Sequence, residues 1–426
     1  MSSDLGESMY KWAEDLFPIC RSLTGPGVRQ TLAYLQGLLP GLSIHEVPSG
    51  TVAFDWAVPN EWIISEAFVE NESGVKVIDF RNNNLHVVGY SCPIDKVMSL
   101  EELQPHLHSI PAQAKAIPYV TSYYENNWGF CISQEERNCL RPGNYRVCIQ
   151  SELMAGAMSY GELILPGRDE TEILLSTYVC HPSMANNELS GPVVTTALAR
   201  WLMELDRRHT YRIIFIPETI GSILYLSLNL KHLQECVVAG FVMTCIGDTR
   251  AYSFLRSRKG SSLADRVAKH VLKYHAPNYI EYSFLDRGSD ERQFCSPGVD
   301  LPVVSIMRSK YHCYPEYHTS LDDLSLISPS GLLGGFEAMQ KCLRILESNY
   351  FYRATLLCEP QLGRRGLYPT MSTSTSGVTV RDLKNILAYS DGSLDLIDLA
   401  ETIGISALDC IPLLNKLALA GLIDHS

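Results

Sequence analysis

Two histidines and several carboxylates stand just past apolar runs in this 426-residue chain, and together they have the makings of a metal site. The first group is Cys180-His181-Pro-Ser-Met-Ala-Asn186-Asn187-Glu188-Leu-Ser-Gly191, and the second is Pro217-Glu218-Thr-Ile-Gly221-Ser222. Cys245-Ile-Gly-Asp248 and Arg287-Gly-Ser-Asp290-Glu291 follow, and the last group is Glu316-Tyr-His318-Thr-Ser-Leu-Asp322-Asp323. Imidazole and carboxylate are the donors that Zn2+ takes when one coordination position must stay open. An ion held that way lowers the pKa of bound water towards about 7 and polarises a carbonyl. A carboxylate such as Glu218 or Glu188 then moves the proton from that water to a leaving amine. The chemistry indicated is hydrolysis of an amide bond.

Each residue alone has a plainer reading. A single histidine after a strand is more often a hydrogen-bonded structural group than a ligand. Glu218 serves equally well as the cap of a helix starting near Thr219, and Asp290 as a partner of Arg287 or Arg292. Asp322 and Asp323 suit a helix N-terminus, where carboxylates meet the positive end of the dipole. Convergence favours the metal, because all these residues fall at one edge of one expected sheet. Tyr317, Arg287 and Arg308 are near in sequence and are candidates for holding a substrate carboxylate or an oxyanion.

The elements that must position these groups lie between about Glu172 and Ser348, where strands alternate with helices. The strands are near-continuous apolar runs at Glu172–Val179, Tyr211–Ile216, Val237–Thr244 and Leu301–Met307, with helices expected at Gly191–Leu205, Ile223–His232 and Ser262–His275. Strands apolar on both faces imply an α/β fold, with a mostly parallel sheet covered by helices on both sides. Open sheets of this kind bind ligands beyond the carboxyl ends of their strands.

Upstream, helical spacing of apolar residues marks Met9–Leu16 and Val28–Leu39, with a turn at Gly25-Pro26-Gly27 between them. From about Val52 to Glu162 the character is β-rich, with short runs at Lys76–Asp79, Leu85–Tyr90, Trp128–Ser133 and Tyr145–Gln150. The expected division is a core of residues 1–51 and 163–350, an inserted β-rich domain at 52–162, and a winged-helix-like domain at 351–426. In that tail, helices at Val378–Leu387, Ser393–Ile403 and Ala407–Ala420 precede a strand at Gly421-Leu-Ile.

The order of motifs resembles the zinc aminopeptidases of the bacterial leucyl aminopeptidase type. The closest likeness is to a subfamily with an inserted β-domain and a C-terminal winged helix. Arg21-Ser-Leu-Thr-Gly and Asn127-Trp-Gly-Phe-Cys131 also look like that subfamily, so the resemblance covers essentially the whole chain. It implies an aminopeptidase on short peptides with one or two zinc ions. His181 matches the first metal histidine, His318 the second, and Glu218 the paired-glutamate region, where Pro217 takes the other place. The bridging aspartate falls at Asn187, with Glu188 beside it as a substitute ligand. The later acidic ligand falls at Thr244, with Asp248 the nearest carboxylate. Asp290 matches an aspartate beside the metal, which makes it, with Glu218, the expected catalytic pair. The metal set implied is therefore His181, Glu188, Glu218, Asp248 and His318.

Other function classes fit less well. The net charge is −12, and the tail from Ser376 on has three basic residues against seven acidic ones, whereas phosphate contact needs a basic surface. The expectation is no nucleic-acid partner and a homo-oligomer contact through the C-terminal domain. No apolar run suits a membrane span of roughly 20 residues. Met1-Ser-Ser-Asp-Leu-Gly-Glu lacks the basic and apolar parts of a secretion signal, and the thirteen cysteines form no C-x-x-C pair. These features predict a cytoplasmic protein with reduced thiols. Two alternatives remain beside the peptidase: an amidohydrolase, deacylase or cyclase acting on a small metabolite, and a non-catalytic binding protein on the same fold.

Overall fold

The computed structural model describes residues 2–123, 125–367 and 374–425. They form two compact units, Met1–Gly260 with Ile280–Phe336, and Ser261–Tyr279 with Glu337–Ser426.

The first unit is built on an eight-stranded mixed sheet. In chain order its strands are β1 (Ser43–Pro48), β2 (Ala157–Leu165), β3 (Glu172–Tyr178), β4 (Thr210–Ile216), β5 (Val237–Val242), β6 (Ser253–Leu255), β7 (Ile280–Tyr282) and β8 (Val303–Met307). They lie in the order β1-β2-β4-β3-β5-β8-β6-β7. The four central strands β4, β3, β5 and β8 are parallel, while β2 joins β4, and β6 joins β8, antiparallel. Every residue of β3 is buried, as a strand covered on both faces requires, and this explains the unbroken apolar run in its sequence. The helices Ser190–Met203 and Ile220–Cys236 follow β3 and β4 as crossovers. Helix Ser2–Leu16, longer than the expected Met9–Leu16, packs on Ser190–Met203.

The β-rich segment carries a four-stranded antiparallel sheet ordered Lys76–Asp79, Glu61–Asn71, Asn144–Met154 and Ile94–Ser99. Two expected strands differ. At Leu85–Tyr90 the chain makes a 3-10 turn, Asn84–His86, because the Asn83 side chain accepts from Leu85 N–H at 2.9 Å and starts a turn. The run Trp128–Ser133 forms strand only at Phe130–Cys131.

In the second unit, strands Asp391–Asp395, Phe351–Ala354 and Ile423–His425 form a small antiparallel sheet, in that order. Helices Ser374–Tyr389, Leu396–Ile403 and Ala407–Leu419 accompany it. The helix expected from Ser393 starts at Leu396, because the Asp395 carboxylate accepts from Asp398 N–H and caps it there. Among the described residues no helix is long and apolar enough to cross a membrane.

Candidate active site

The four parallel central strands end on one edge, and the loops leaving them bring His181 (after β3), Glu218 (after β4), Thr244 (after β5) and His318 (after β8) together. These loops turn sharply. Ser183, Thr219, Cys245 and His318 all have positive φ, between 45° and 65°, where a side chain costs roughly 1–3 kcal/mol per residue. Such strain persists only where the surroundings over-determine it.

A cavity of about 300 Å3 opens at this edge, lined by His181, Glu218, Thr219, Ile220, His318, Cys180, Arg292, Leu23, Tyr119, Thr121 and Tyr123. The imidazoles of His181 and His318 have ring centroids 5.4 Å apart. Tyr119, from the β-rich segment, lies 5.3 Å from the first and 5.2 Å from the second. Tyr317 stacks on His318 at 3.9 Å, and so orients that ring instead of contacting a ligand. Burial and the neighbouring His181 push His318 down to about 2, which keeps it neutral. Burial raises the Glu218 carboxyl above its ordinary value, against the pull of His181 and Arg292.

Behind the cavity, His181 Nδ1 is 2.8 Å from Glu188 Oε2. Glu188 comes from a π-helical turn, Ala185–Leu189, whose start is capped from another loop. Asp322 Oδ1 and Oδ2 accept from the Asn186 and Asn187 amides at 2.6 and 3.0 Å. Asp322 therefore caps a helical turn in another loop instead of one of its own. Arg21, fully buried, donates to the carbonyls of His181 and Leu16 at 2.9 and 2.7 Å, and its Nε is 3.7 Å from Glu188 Oε1.

Asp290 sits beneath Thr219, accepting from its amide at 2.8 Å and from Ser222 Oγ at 2.9 Å. Its second oxygen is buried without a partner, and burial with the Glu218 charge raises the carboxyl to about 7. Arg292 donates to Thr219 Oγ1 from above. Backbone and side chain of Thr219 are thus both held, which fixes the residue after Glu218 in its strained conformation.

Several expected groups are placed elsewhere. Asp248 is outside the cavity lining, with both oxygens filled by Asn186 Nδ2, Ser309 N and Oγ, and Arg250 N at 2.8–3.0 Å. Arg308 lies over the Tyr252 ring at 3.8 Å, and exposed Arg287 lies over Phe284. Asn187 and Thr244 meet in a neutral network: Thr244 Oγ1 donates to the Asn187 carbonyl at 2.8 Å, and the Tyr178 hydroxyl bonds both side chains.

The donors facing the cavity are of the types that zinc takes. Nδ1 of His181 is engaged by Glu188, and Nε2 lies 3.5 Å from Glu218 Oε2. Although burial pulls the His181 pKa down, the Cys180 thiol and Glu188 raise it well above the usual value, so without a metal the imidazolium pairs with Glu218. The same 3.5 Å is close to the roughly 3.4 Å between two donors of one tetrahedral zinc, which would replace the Nε2 proton. Cys180 Sγ, His181 and Glu188 form a second cluster, with donor atoms within 4.8 Å of one another. That cluster suits a cation less well. Burial pushes the Cys180 thiol up to about 11, and the Arg21 guanidinium is already beside Glu188. Tyr119 is not found by sequence pattern, and Arg292, though it ends the Gly288-Ser-Asp-Glu-Arg292 string, is read there only as a partner of Asp290.

Comparison with known proteins agrees with this architecture. A family profile described as "Domain of unknown function (DUF4910)" matches residues 10–349, and a winged helix-turn-helix profile matches 350–425. A Clostridium acetobutylicum protein, named as a candidate polysaccharide biosynthesis protein with an aminopeptidase-like domain, is 44% identical over 402 residues. Those residues are 94% of this chain and 92% of the relative. A crystal structure of a candidate peptidase from Clostridium acetobutylicum superposes with a TM-score of 0.94 at 42% identity, covering 100% of this chain and 97% of that one. A zinc aminopeptidase from Bacillus subtilis gives 0.58 at 11% identity, covering 80% and 94%. An aminopeptidase from an Aneurinibacillus strain gives 0.51 at 14%, covering 79% and 92%. At those identities the likeness is one of fold. The fold is that of the zinc aminopeptidases, extended by a C-terminal winged helix.

Proposed function

Since the chain belongs to the DUF4910 family and has an aminopeptidase-like fold, we propose that it is a hydrolase with a single zinc ion that cleaves an amide bond in short peptides. The observation that carries this reading is His181 Nε2 facing Glu218 Oε2 across 3.5 Å, in the cavity that His318 also lines. His181, Glu218 and His318 would hold the ion. Asp248 is left out of this set because four hydrogen bonds already fill its oxygens. Glu188 is left out as a ligand because it engages Nδ1, the position from which a carboxylate orients a metal-binding imidazole. Asn187 and Thr244 leave no acidic pair for a second ion.

Bound zinc would supply a Lewis acid for the scissile carbonyl and a water of lowered pKa. Glu218, its carboxyl raised by burial, would take the proton of that water on one oxygen and return it to the leaving amine. Asp290, held by Thr219 and Ser222, would fix the loop that aims Glu218. Tyr119 would cover the two imidazoles and keep bulk water out. We read the insertion expected at residues 52–162 as ending before Ala157, where β2 joins the core sheet, and as supplying this cover.

The test is metal content of the purified protein together with turnover of aminoacyl-arylamides and dipeptides. One zinc equivalent, lost in His181→Ala, supports the reading, whereas a protein that takes up no zinc would end it. The cavity volume also favours a second reading, an amidohydrolase or deacylase on a small N-acylated metabolite. The relative's name would place that metabolite in polysaccharide biosynthesis. Turnover of N-acylated sugars without turnover of peptides would select it.

We further propose that the winged-helix domain of residues 351–426 binds protein and not nucleic acid. Helix Ala407–Leu419 has Lys416 as its one basic residue and ends on Leu419, 90% exposed. A mass twice that of one chain in sedimentation, with no shift of duplex DNA, is the expected result.

A further inference from the structure

Arg21, Arg292 and Arg308 each keep one buried nitrogen without a hydrogen-bond partner. Arg21 is bonded to two carbonyls, Arg308 lies over Tyr252, and Arg287 lies over Phe284 outside the cavity lining. Arg292 differs. It alone of these lines the cavity, its Nε is buried with no hydrogen-bond partner, and its charge pulls against the burial that raises the nearby Glu218 and Asp290 carboxyls. Its hydrogen bond to Thr219 Oγ1 uses one of five N–H donors. The guanidinium's remaining N–H donors present a charged fork to an anionic ligand in the cavity.

We infer that Arg292 is the recognition group for a carboxylate on the substrate, at the end away from the bond that is cut. A planar guanidinium matches a carboxylate better than it matches a neutral amide. The same wall of the cavity carries Leu23 and Ile220, which suit an apolar side chain. A volume of about 300 Å3 is at the small end for ligand sites, so the carboxylate must be close to the reacting bond. The substrate class is therefore a small amide with a free carboxylate, such as a dipeptide; internal bonds of long chains are excluded. This inference depends on the hydrolase reading only for the choice of kinetic probe.

The experiment compares leucylglycine with leucylglycinamide on the zinc-loaded full chain, in wild type, Arg292→Lys and Arg292→Gln. The expected kcat/KM ratio of acid to amide is about 10 to 100 in wild type, reduced in Arg292→Lys and close to one in Arg292→Gln. Arg292 also steadies Thr219, and loss of that support would slow both probes alike without changing their ratio. A wild-type ratio near one, or a ratio unmoved by Arg292→Gln, overturns the inference. A second arm needs no turnover: calorimetric binding of N-acetylglycine against N-acetylglycinamide to the same proteins. Preference for the carboxylate that Arg292→Gln abolishes upholds the inference even if neither peptide is cleaved, in which case the peptidase reading alone fails. Equal binding of the two overturns it.

Discussion

Arg21 and Glu188 face each other at 3.7 Å with neither side chain exposed to solvent. The second oxygen of Glu188 is on His181 Nδ1, so a buried charge pair ends on an imidazole that faces the cavity. Glu188→Ala would leave the guanidinium buried and uncompensated, and should cost about 3–5 kcal/mol in urea unfolding. Glu188→Gln keeps one acceptor oxygen, which can face His181 Nδ1 or Arg21 but not both. It should retain the fold while weakening zinc about 10–100-fold in a chelator competition. Unchanged zinc affinity in Glu188→Gln would separate this carboxylate from the metal.

His318 and Glu218 should divide metal binding from chemistry differently. His318→Ala is expected to abolish stoichiometric zinc, read by plasma mass spectrometry. Glu218→Gln, which removes a ligand's charge as well as the base, should weaken zinc and, at saturating zinc, still lower kcat at least about 100-fold. Full activity in Glu218→Gln would remove it from the mechanism.

Gly191, where the helix after β3 begins, has no room for a side chain. A Cβ there would lie 2.2 Å from the Met243 carbonyl and 2.5 Å from Thr177 Oγ1. Gly191→Ala should therefore destabilise by about 1–3 kcal/mol in thermal unfolding and disturb the turn that carries Glu188. A stability within error of wild type would mean the loop relaxes freely.

In the second unit, Asp395 is bound through both oxygens by Arg266, at 2.8 and 2.6 Å, and caps helix Leu396–Ile403. Burial pushes its carboxyl up, but Arg266, the Asp398 amide and Asn349 together bring it below the usual value. A lowered folded-state pKa means the stabilisation is present above the unfolded value of about 3.9 and is lost as pH falls through the lower folded value. Asp395→Ala should thus cost about 2–4 kcal/mol at neutral pH. The gap from wild type should narrow as pH falls below the unfolded value of about 3.9, as followed by circular dichroism. A gap independent of pH would exclude the ion pair as its source.

Much of this architecture is legible in the chain because buried parallel strands have to be apolar on both faces. Glu172–Tyr178 and Thr210–Ile216 therefore stand out, and the polar motifs after them mark the active edge. His181, Glu218 and His318 are readable for that reason. Asp248 misleads because nearness in sequence says nothing about which hydrogen bonds already fill a carboxylate. Glu188 is expected as a ligand from its spacing, but a π-helical turn rotates it to the far side of His181. Tyr119 is hidden by distance along the chain, since only tertiary packing brings it to the cavity, whereas Arg292 is in view beside Asp290 but with no sign of which way its guanidinium faces.

The covering tyrosine is not a separate flap. Tyr119 N–H bonds the His318 carbonyl at 2.9 Å, Ser320 N–H bonds the Ile117 carbonyl at 2.9 Å, and Pro118 pairs with Thr319 across an antiparallel bridge. The roof and the backbone bearing one imidazole are therefore a single hydrogen-bonded piece, so a displacement of Tyr119 would carry His318 with it.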